Sequence, residues 1–275
     1  MTTADATPQQ ALEILLRTLR LPSIAESYVD VASQAERQGW SFGQYLRHLC
    51  ELEVDGRNHR RVERLLKRSD LPPDKTMANL DLKRLPSNVT KQLPRLMEGG
   101  FVDDAQNVLL FGLPGRGKTH VACAIGHELT RRGRSVLFTP TYKLVQQLLA
   151  AKRDLALEKL LQKLDGFEAV ILDDIGYVQQ ERQEMEVLFT FFAQRYERRS
   201  VLITSNIVFS QWDRIFKDAM TTAAAIDRLV HHSVILEMTG TSYRSDIAEA
   251  AQSARGRKVN GSAGQRATAQ EKPSK

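Results

Sequence analysis

Three features of this 275-residue chain predict an α/β fold: a five-stranded parallel sheet flanked by helices, preceded by a small all-helical region. Short apolar runs alternate with helical stretches from about residue 105 onward, the pattern of a parallel sheet covered by helices. One of those runs passes through a glycine-rich turn straight into a helix. The first seventy or so residues carry only helical periodicity. The divisions expected are residues 1–72 for the helical region, 73–104 for a linker, 105–250 for the α/β domain and 251–275 for a tail.

In the helical region Leu12, Leu15, Leu16 and Leu19 form one apolar stripe, Leu21-Pro22 ends it, and Ile24 to Gln38 forms a second helix. Ser41 is placed to cap a third helix carrying Phe42, Tyr45, Leu46 and Leu49. Farther on, Arg57, Arg60, Arg61, Arg64 and Arg68 recur at helical spacing and share one face. Such a stripe is either a solvated face or a surface for the phosphate backbone of nucleic acid, where each neutralised phosphate contributes about −0.9 to the log–log salt slope. Net charge is +6, a balance that suits a polyanionic partner. Leu71-Pro72-Pro73-Asp74 breaks the helix, and Pro86, Pro94 and Gly99-Gly100 interrupt the stretch between it and the first strand.

The apolar run Asn107 to Phe111 leads into Gly112-Leu113-Pro114-Gly115-Arg116-Gly117-Lys118-Thr119 and a helix from His120 to Arg132. Glycines let backbone N–H groups turn inward onto phosphates, and the helix start adds partial positive charge. Lys118 then reaches the β- and γ-phosphates, and the Thr119 hydroxyl is a ligand for Mg²⁺. Gly133 stops the helix. A strand at 135–139 precedes a long helical region, Tyr142 to Leu164, expected as two helices and made basic by Lys143, Lys152, Arg153, Lys159 and Lys163.

Ala169-Val170-Ile171-Leu172-Asp173-Asp174 is a buried strand ending in two carboxylates. Asp173 is expected to hold Mg²⁺ and Asp174 to orient or deprotonate an attacking water. Helix 183–197 sets Met185, Leu188, Phe189, Phe192 and Tyr196 along one face for core packing. The strand Val201 to Ser205 delivers Asn206, either to the water and γ-phosphate or simply to a turn. A last strand, Ser233 to Glu237, follows Asp227-Arg228-Leu229. The tail, almost without apolar bulk, is expected to be disordered.

Cys50 and Cys123 lie far apart in helical runs and are expected as small core residues, with neither a disulfide framework nor a zinc spacing. His127-Glu128 lacks the second histidine of a zinc-protease helix, because position 131 is Arg131. No run approaches the length of a membrane helix, and Met1 to Gln10 is not a basic-then-apolar leader, so a cytoplasmic location and no membrane partner are expected. A guanine-reading Asn-Lys-x-Asp run is absent, and no acceptor pocket for a metabolic kinase is evident.

In order, Gly112 to Thr119, Asp173-Asp174, Asn206, Arg228 and Arg244 resemble an AAA+ ATPase of the DnaC/IstB type. The Asp173-Asp174-Ile175-Gly176-Tyr177, Arg195 to Ser200 and Thr204-Ser205-Asn206 stretches look most like IstB. The resemblance implies a P-loop AAA+ fold with ATP and Mg²⁺ as cofactors. The nucleotide-binding residues would be Gly112, Leu113, Pro114, Gly115, Arg116, Gly117, Lys118, Thr119 and His120. It gives Asn206 the sensor 1 role, Arg228 that of an arginine finger acting on a neighbouring subunit, and Arg244 that of sensor 2. It further implies a helper ATPase of insertion-sequence transposition, working with duplex DNA and a transposase of the DDE integrase class. A head-to-tail homo-oligomer, ring or spiral, is expected. Arg57, Arg60, Arg61, Arg64, Arg68, Lys143, Lys152 and Arg153 are the candidate DNA contacts. A helicase loader is the alternative. Position 174 departs from the Glu of many AAA+ proteins, so its carboxylate is one methylene shorter and a slow ATPase is expected.

Overall fold

The computed structural model describes residues 7–177, 182–207 and 229–239. The chain divides into two compact units, Met1–Lys67 and Arg68–Lys275.

The first unit is built from α1 (Pro8–Thr18), α2 (Pro22–Gln38) and α3, which runs without a break from Phe42 to Arg68. The expected Ser41 cap is present as a reciprocal pair: Gln44 N–H donates to Ser41 Oγ (3.3 Å) and Ser41 N–H to Gln44 Oε1 (2.8 Å). Leu16, Ile24, Val31 and Leu49 form a small core between the helices. Gly56 lets α2 and α3 approach closely, since a Cβ there would stand 2.1 Å from Ser23 Oγ.

Beneath that contact Glu53 is buried, only 4% exposed. It accepts from the N–H groups of Ser23 (2.8 Å) and Ile24 (3.3 Å) at the start of α2, and from Arg57 and Arg60, each at 3.1 Å. Burial alone would raise the Glu53 pKa; the Arg57 hydrogen bond and the two backbone donors outweigh it and hold the carboxyl below its ordinary value.

The second unit is a five-stranded sheet in the order β2-β3-β4-β1-β5, every pair parallel. The strands are β1 (Asn107–Phe111), β2 (Val136–Pro140), β3 (Ala169–Asp173), β4 (Ser200–Ser205) and β5 (Ser233–Glu237). Before and between them lie α4 (Ser87–Glu98), the short α5 (Gly100–Asp103), α6 (Lys118–Arg131), α7 (Thr141–Arg153), α8 (Leu157–Asp165) and α9 (Arg182–Arg195). Alternate residues face opposite helix layers: Leu109, Phe111, Val170, Leu172, Val201 and Ile203 meet α7, α8 and α9, whereas Val108, Leu110, Ala169, Ile171 and Leu202 meet α4 and α6. Burial on both faces is why these strands read as unbroken apolar runs.

Three local expectations change. The stretch 73–104, expected as a linker, is packed: Val89, Leu93, Leu96 and Phe101 sit in the core under α6, and the division between units falls at residues 67 and 68. Its prolines and glycines punctuate short helices that still carry an apolar face. Helix α9 buries Val187 and Phe191 as well as the expected Met185, Leu188 and Phe192, because it is covered by both α7 and α8. Cys123 is buried, its thiol pushed up to about 12 mainly by that burial, whereas Cys50 is exposed on α3.

At the edge of the sheet where the strands begin, Arg195 is 1% exposed and donates to the carbonyls of Leu164 (3.0 Å), Phe167 (3.0 Å) and Ser200 (2.9 Å). Burial lowers its pKa to about 9. One cation thus stitches the ends of α8 and α9 to the starts of β3 and β4.

Candidate nucleotide site

The strand order decides where the chemistry gathers. Strand β1 lies beside β4, and β4 beside β3, so the segments leaving all three at their carboxyl ends meet in one crevice. The first is the glycine loop. Gly112 has φ 151°, and a Cβ there would stand 2.4 Å from the Met238 carbonyl, which is locked in place by its own N–H bond to Phe111 O (2.7 Å). Gly115 (φ 78°) and Gly117 (φ 82°) take left-handed conformations as the loop turns into α6. The helix begins at Lys118, two residues earlier than periodicity predicted.

Lys118 is 7% exposed and its ammonium donates three hydrogen bonds: to Gly112 O (2.7 Å), Leu113 O (3.0 Å) and Asn206 Oδ1 (2.6 Å). The Asn206 amide nitrogen in turn donates to Asp174 Oδ1 at 2.8 Å. Asn206, from the end of β4, therefore bridges the loop lysine and the second carboxylate of β3. Asp174 itself adopts φ 62°, a left-handed conformation that Asp tolerates better than most residues.

Beside this bridge, Asp173 Oδ1 accepts from Thr119 Oγ1 and from Thr204 Oγ1, both at 2.7 Å. The Thr204 hydroxyl also accepts the Asp174 N–H at 2.8 Å. Thr204 thus holds the Asp173 carboxylate and the Asp174 backbone, a role that sequence reading missed; the only signal was a hydroxyl residue one step before the end of a buried strand. Thr141 adds a fourth polar anchor by donating to the Asp173 carbonyl (3.0 Å).

The residues suit a magnesium nucleotide. Thr119 Oγ1 and Asp173 Oδ1 are adjacent hard-oxygen donors of the kind Mg²⁺ selects, next to an ammonium seated in a loop of inward-turned backbone. On the other side of the loop a pocket of about 70 Å³ is lined by Asn79, Leu80, Asp81, Leu85, Gly115 and Arg116 among others. Arg116 Nε is buried and has no hydrogen-bond partner among the described residues.

His120, expected at the nucleotide, lines this pocket and turns Nε2 to Thr76 O (3.0 Å); His127, two helical turns on, meets Pro72 O at the same distance. These two histidines fasten residues 72–76 along α6. His127 is thereby a packing residue, in keeping with the absent zinc-protease motif.

The remaining expected residues are dispersed. Arg228 and Arg244 lie outside the described residues. Arg57 and Arg60 are engaged with Glu53, and Arg60 also donates to Ser23 Oγ (3.0 Å). Arg64 is exposed and donates to Arg60 O (3.3 Å); Arg61 is exposed; Arg68 lies over the Phe167 ring, 5.5 Å from its centroid. Farther along the second unit Lys152 pairs with Glu186 (2.9 Å) and Arg153 with Asp154 (3.0 Å), while Lys143 is exposed. The arginine stripe is thus partly an internal ion-pair network. No described helix is long and apolar enough to cross a membrane.

The family model described as IstB-like ATP binding protein matches residues 14–251. An insertion sequence ATP-binding protein of Sinorhizobium fredii is 44% identical over 247 residues, 90% of this chain and 83% of the relative. The insertion sequence IS21 ATP-binding protein of Pseudomonas aeruginosa is 36% identical over 85% of this chain and 88% of its own. Among solved structures, DnaI matches with a TM-score of 0.51 at 22% identity, covering 64% of this chain and 95% of that one. AMPPCP-bound DnaA from Aquifex aeolicus matches with a TM-score of 0.52 at 18% identity over 62% and 51% of the respective chains. These likenesses show a shared P-loop AAA+ fold.

Proposed function

The chain belongs to the IstB-like ATP-binding family, and from that premise we propose that it is an ATPase that assembles on duplex DNA with ATP and activates a transposase. Hydrolysis then disperses the assembly. The observation that carries the reading is the Asn206 bridge between Lys118 and Asp174, beside the Thr119–Asp173 pair. It joins the group suited to bind the β- and γ-phosphates to the group suited to prepare a water.

In this scheme phosphate oxygens replace Asn206 and the loop carbonyls around the Lys118 ammonium. Thr119 and Asp173 would hold Mg²⁺, which would supply neutralisation of phosphate charge. Asn206 and Asp174 orient the attacking water, and an Asp174 carboxylate oxygen accepts its proton. Arg228 and Arg244 complete the site from a neighbouring copy and from the same chain, which makes turnover depend on head-to-tail assembly.

Duplex DNA is met by exposed cations, with Arg64 and Lys143 better placed than Arg57 and Arg60, which neutralise Glu53. The transposase is of the DDE integrase class. The names of the 44% and 36% identical relatives, both insertion sequence proteins, support this partner over a replicative helicase.

Electron microscopy of the protein with duplex DNA, compared in ATP, ADP and a slowly hydrolysed analogue, tests the assembly. Ordered oligomers on DNA are expected with ATP and the analogue and not with ADP; equal assembly without nucleotide overturns the scheme. Pull-down against the transposase and a helicase hexamer separates the two partners, with retention of the helicase alone reassigning the protein as a loader.

A further inference from the structure

At the edge of the sheet opposite the nucleotide site, two turns bring three ligand-type side chains together. Glu197 comes from the turn between α9 and β4, and His231 and His232 from the turn before β5. One ligand atom from each lies within 4.8 Å of the other two, and Glu197 Oε1 stands 3.7 Å from His232 Nε2. The imidazole rings stack edge to face with centroids 4.3 Å apart, so both project to the same side of the chain.

From this juxtaposition we infer that Glu197, His231 and His232 form a binding site for a zinc-class divalent cation. Two imidazole nitrogens and one carboxylate oxygen are a donor set for Zn²⁺, with solvent completing the tetrahedron; Mg²⁺, which prefers oxygen alone, is excluded by that chemistry. Ligands of a tetrahedral zinc stand about 3.4 Å apart, so small side-chain rotations close the site.

Both turns are held from behind. Arg195 anchors the first through the carbonyls of Phe167 and Ser200. Asn107 anchors the second: its side chain donates to Leu229 O (3.2 Å) while accepting from Val201 N–H (2.9 Å), and its N–H donates to His232 O (2.8 Å). Glu197 keeps φ 55°, a conformation costly for a residue with a β-carbon, and that backbone places its carboxylate beside the histidines. Tyr196 Oη, 3.5 Å from His231 Nδ1, is placed to orient the ring. A cation here braces the entry to β5, which in sequence directly follows Arg228. The site does not depend on the nucleotide-site reading.

The test is calorimetric titration of chelator-stripped, tag-free full-length protein with ZnCl₂ in saturating Mg²⁺ and ADP, which keeps the nucleotide site occupied. One zinc per chain is expected, and H231A/H232A should lower its affinity by at least ~10-fold, with E197Q weakening it similarly. Absence of binding to the native protein, or undiminished binding to the double variant, overturns the site. Should the variant fail to fold, carbethoxylation of the native protein read by peptide mass spectrometry decides. Zinc is expected to shield His231 and His232 while leaving exposed His59 reactive; equal modification with and without zinc overturns the site.

Discussion

The Lys118 ammonium lies 2.6 Å from the Asn206 amide oxygen, across 88 residues of chain. The same amide holds Asp174 at 2.8 Å through its nitrogen. In the proposed scheme a phosphate arriving at Lys118 would displace Asn206 and alter what Asp174 faces, so that nucleotide occupancy would reach the proposed water-preparing carboxylate through one side chain.

Asn206→Ala should separate binding from turnover. Loss of a preorganised polar group at the reacting phosphate lowers kcat by about 10²–10³-fold. Nucleotide affinity should change less than tenfold, since Asn206 competes with phosphate for Lys118. Phosphate release and fluorescent-nucleotide titration measure the two; parallel losses in both would remove Asn206 from the chemical step.

Lys118→Ala should act earlier. Removing an ammonium that makes charge-assisted bonds costs about 3 kcal/mol, or ~10²-fold in ATP affinity, and ATP-dependent DNA binding should disappear with it. Undiminished DNA binding in ATP would show that occupancy of the loop is not the switch.

Thr204→Val keeps the volume of the side chain and removes its hydroxyl. Asp173 loses one donor and the part-buried Asp174 N–H its acceptor. Turnover should fall about 10–100-fold, with a stability loss of about 1–3 kcal/mol. The corresponding Ser variant should restore activity, which a packing role alone would not.

Arg195→Ala should be severe for stability. It opens a cavity and strands the carbonyls of Leu164, Phe167 and Ser200, at a cost of about 3–5 kcal/mol, readable by denaturant unfolding of the α/β unit.

Glu53 makes the helical unit sensitive to acid. Its carboxyl is held below the ordinary value when folded, so its stabilisation is present above the unfolded carboxylate pKa and is lost as pH falls through the folded one. Unfolding followed from neutral pH into the acid range should show this loss in the native protein and a flatter profile in Glu53→Gln. Identical profiles would mean that other carboxylates dominate.

Much of the α/β unit was legible because its signals are local. Five apolar runs of strand length, a glycine loop joining one of them to a helix, and carboxylates at the end of another survive in any arrangement of the rest. The gathering of Thr119, Asp173 and Asn206 was legible too, once the strands were parallel and their carboxyl ends shared an edge. Thr204 was not legible, since its hydroxyl matters only through the register that sets β4 between β1 and β3.

The arginine stripe shows the reverse case. Helical spacing correctly put Arg57, Arg60 and Arg64 on α3, yet it carried no information about Glu53 being buried beneath two of them. Likewise the prolines and glycines of residues 73–104 announced interruptions without revealing that Val89 and Leu93 were core residues.

The sequence by itself therefore determined the five strands, most of the helices and the glycine loop with its nearby carboxylates, because periodicity and motif spacing are short-range properties. Only the tertiary structure decided who pairs with whom: Lys118 with Asn206, Arg60 with Glu53, His120 with Thr76. Those partnerships join residues far apart in the chain, and burial makes each depend on a neighbour that folding alone supplies.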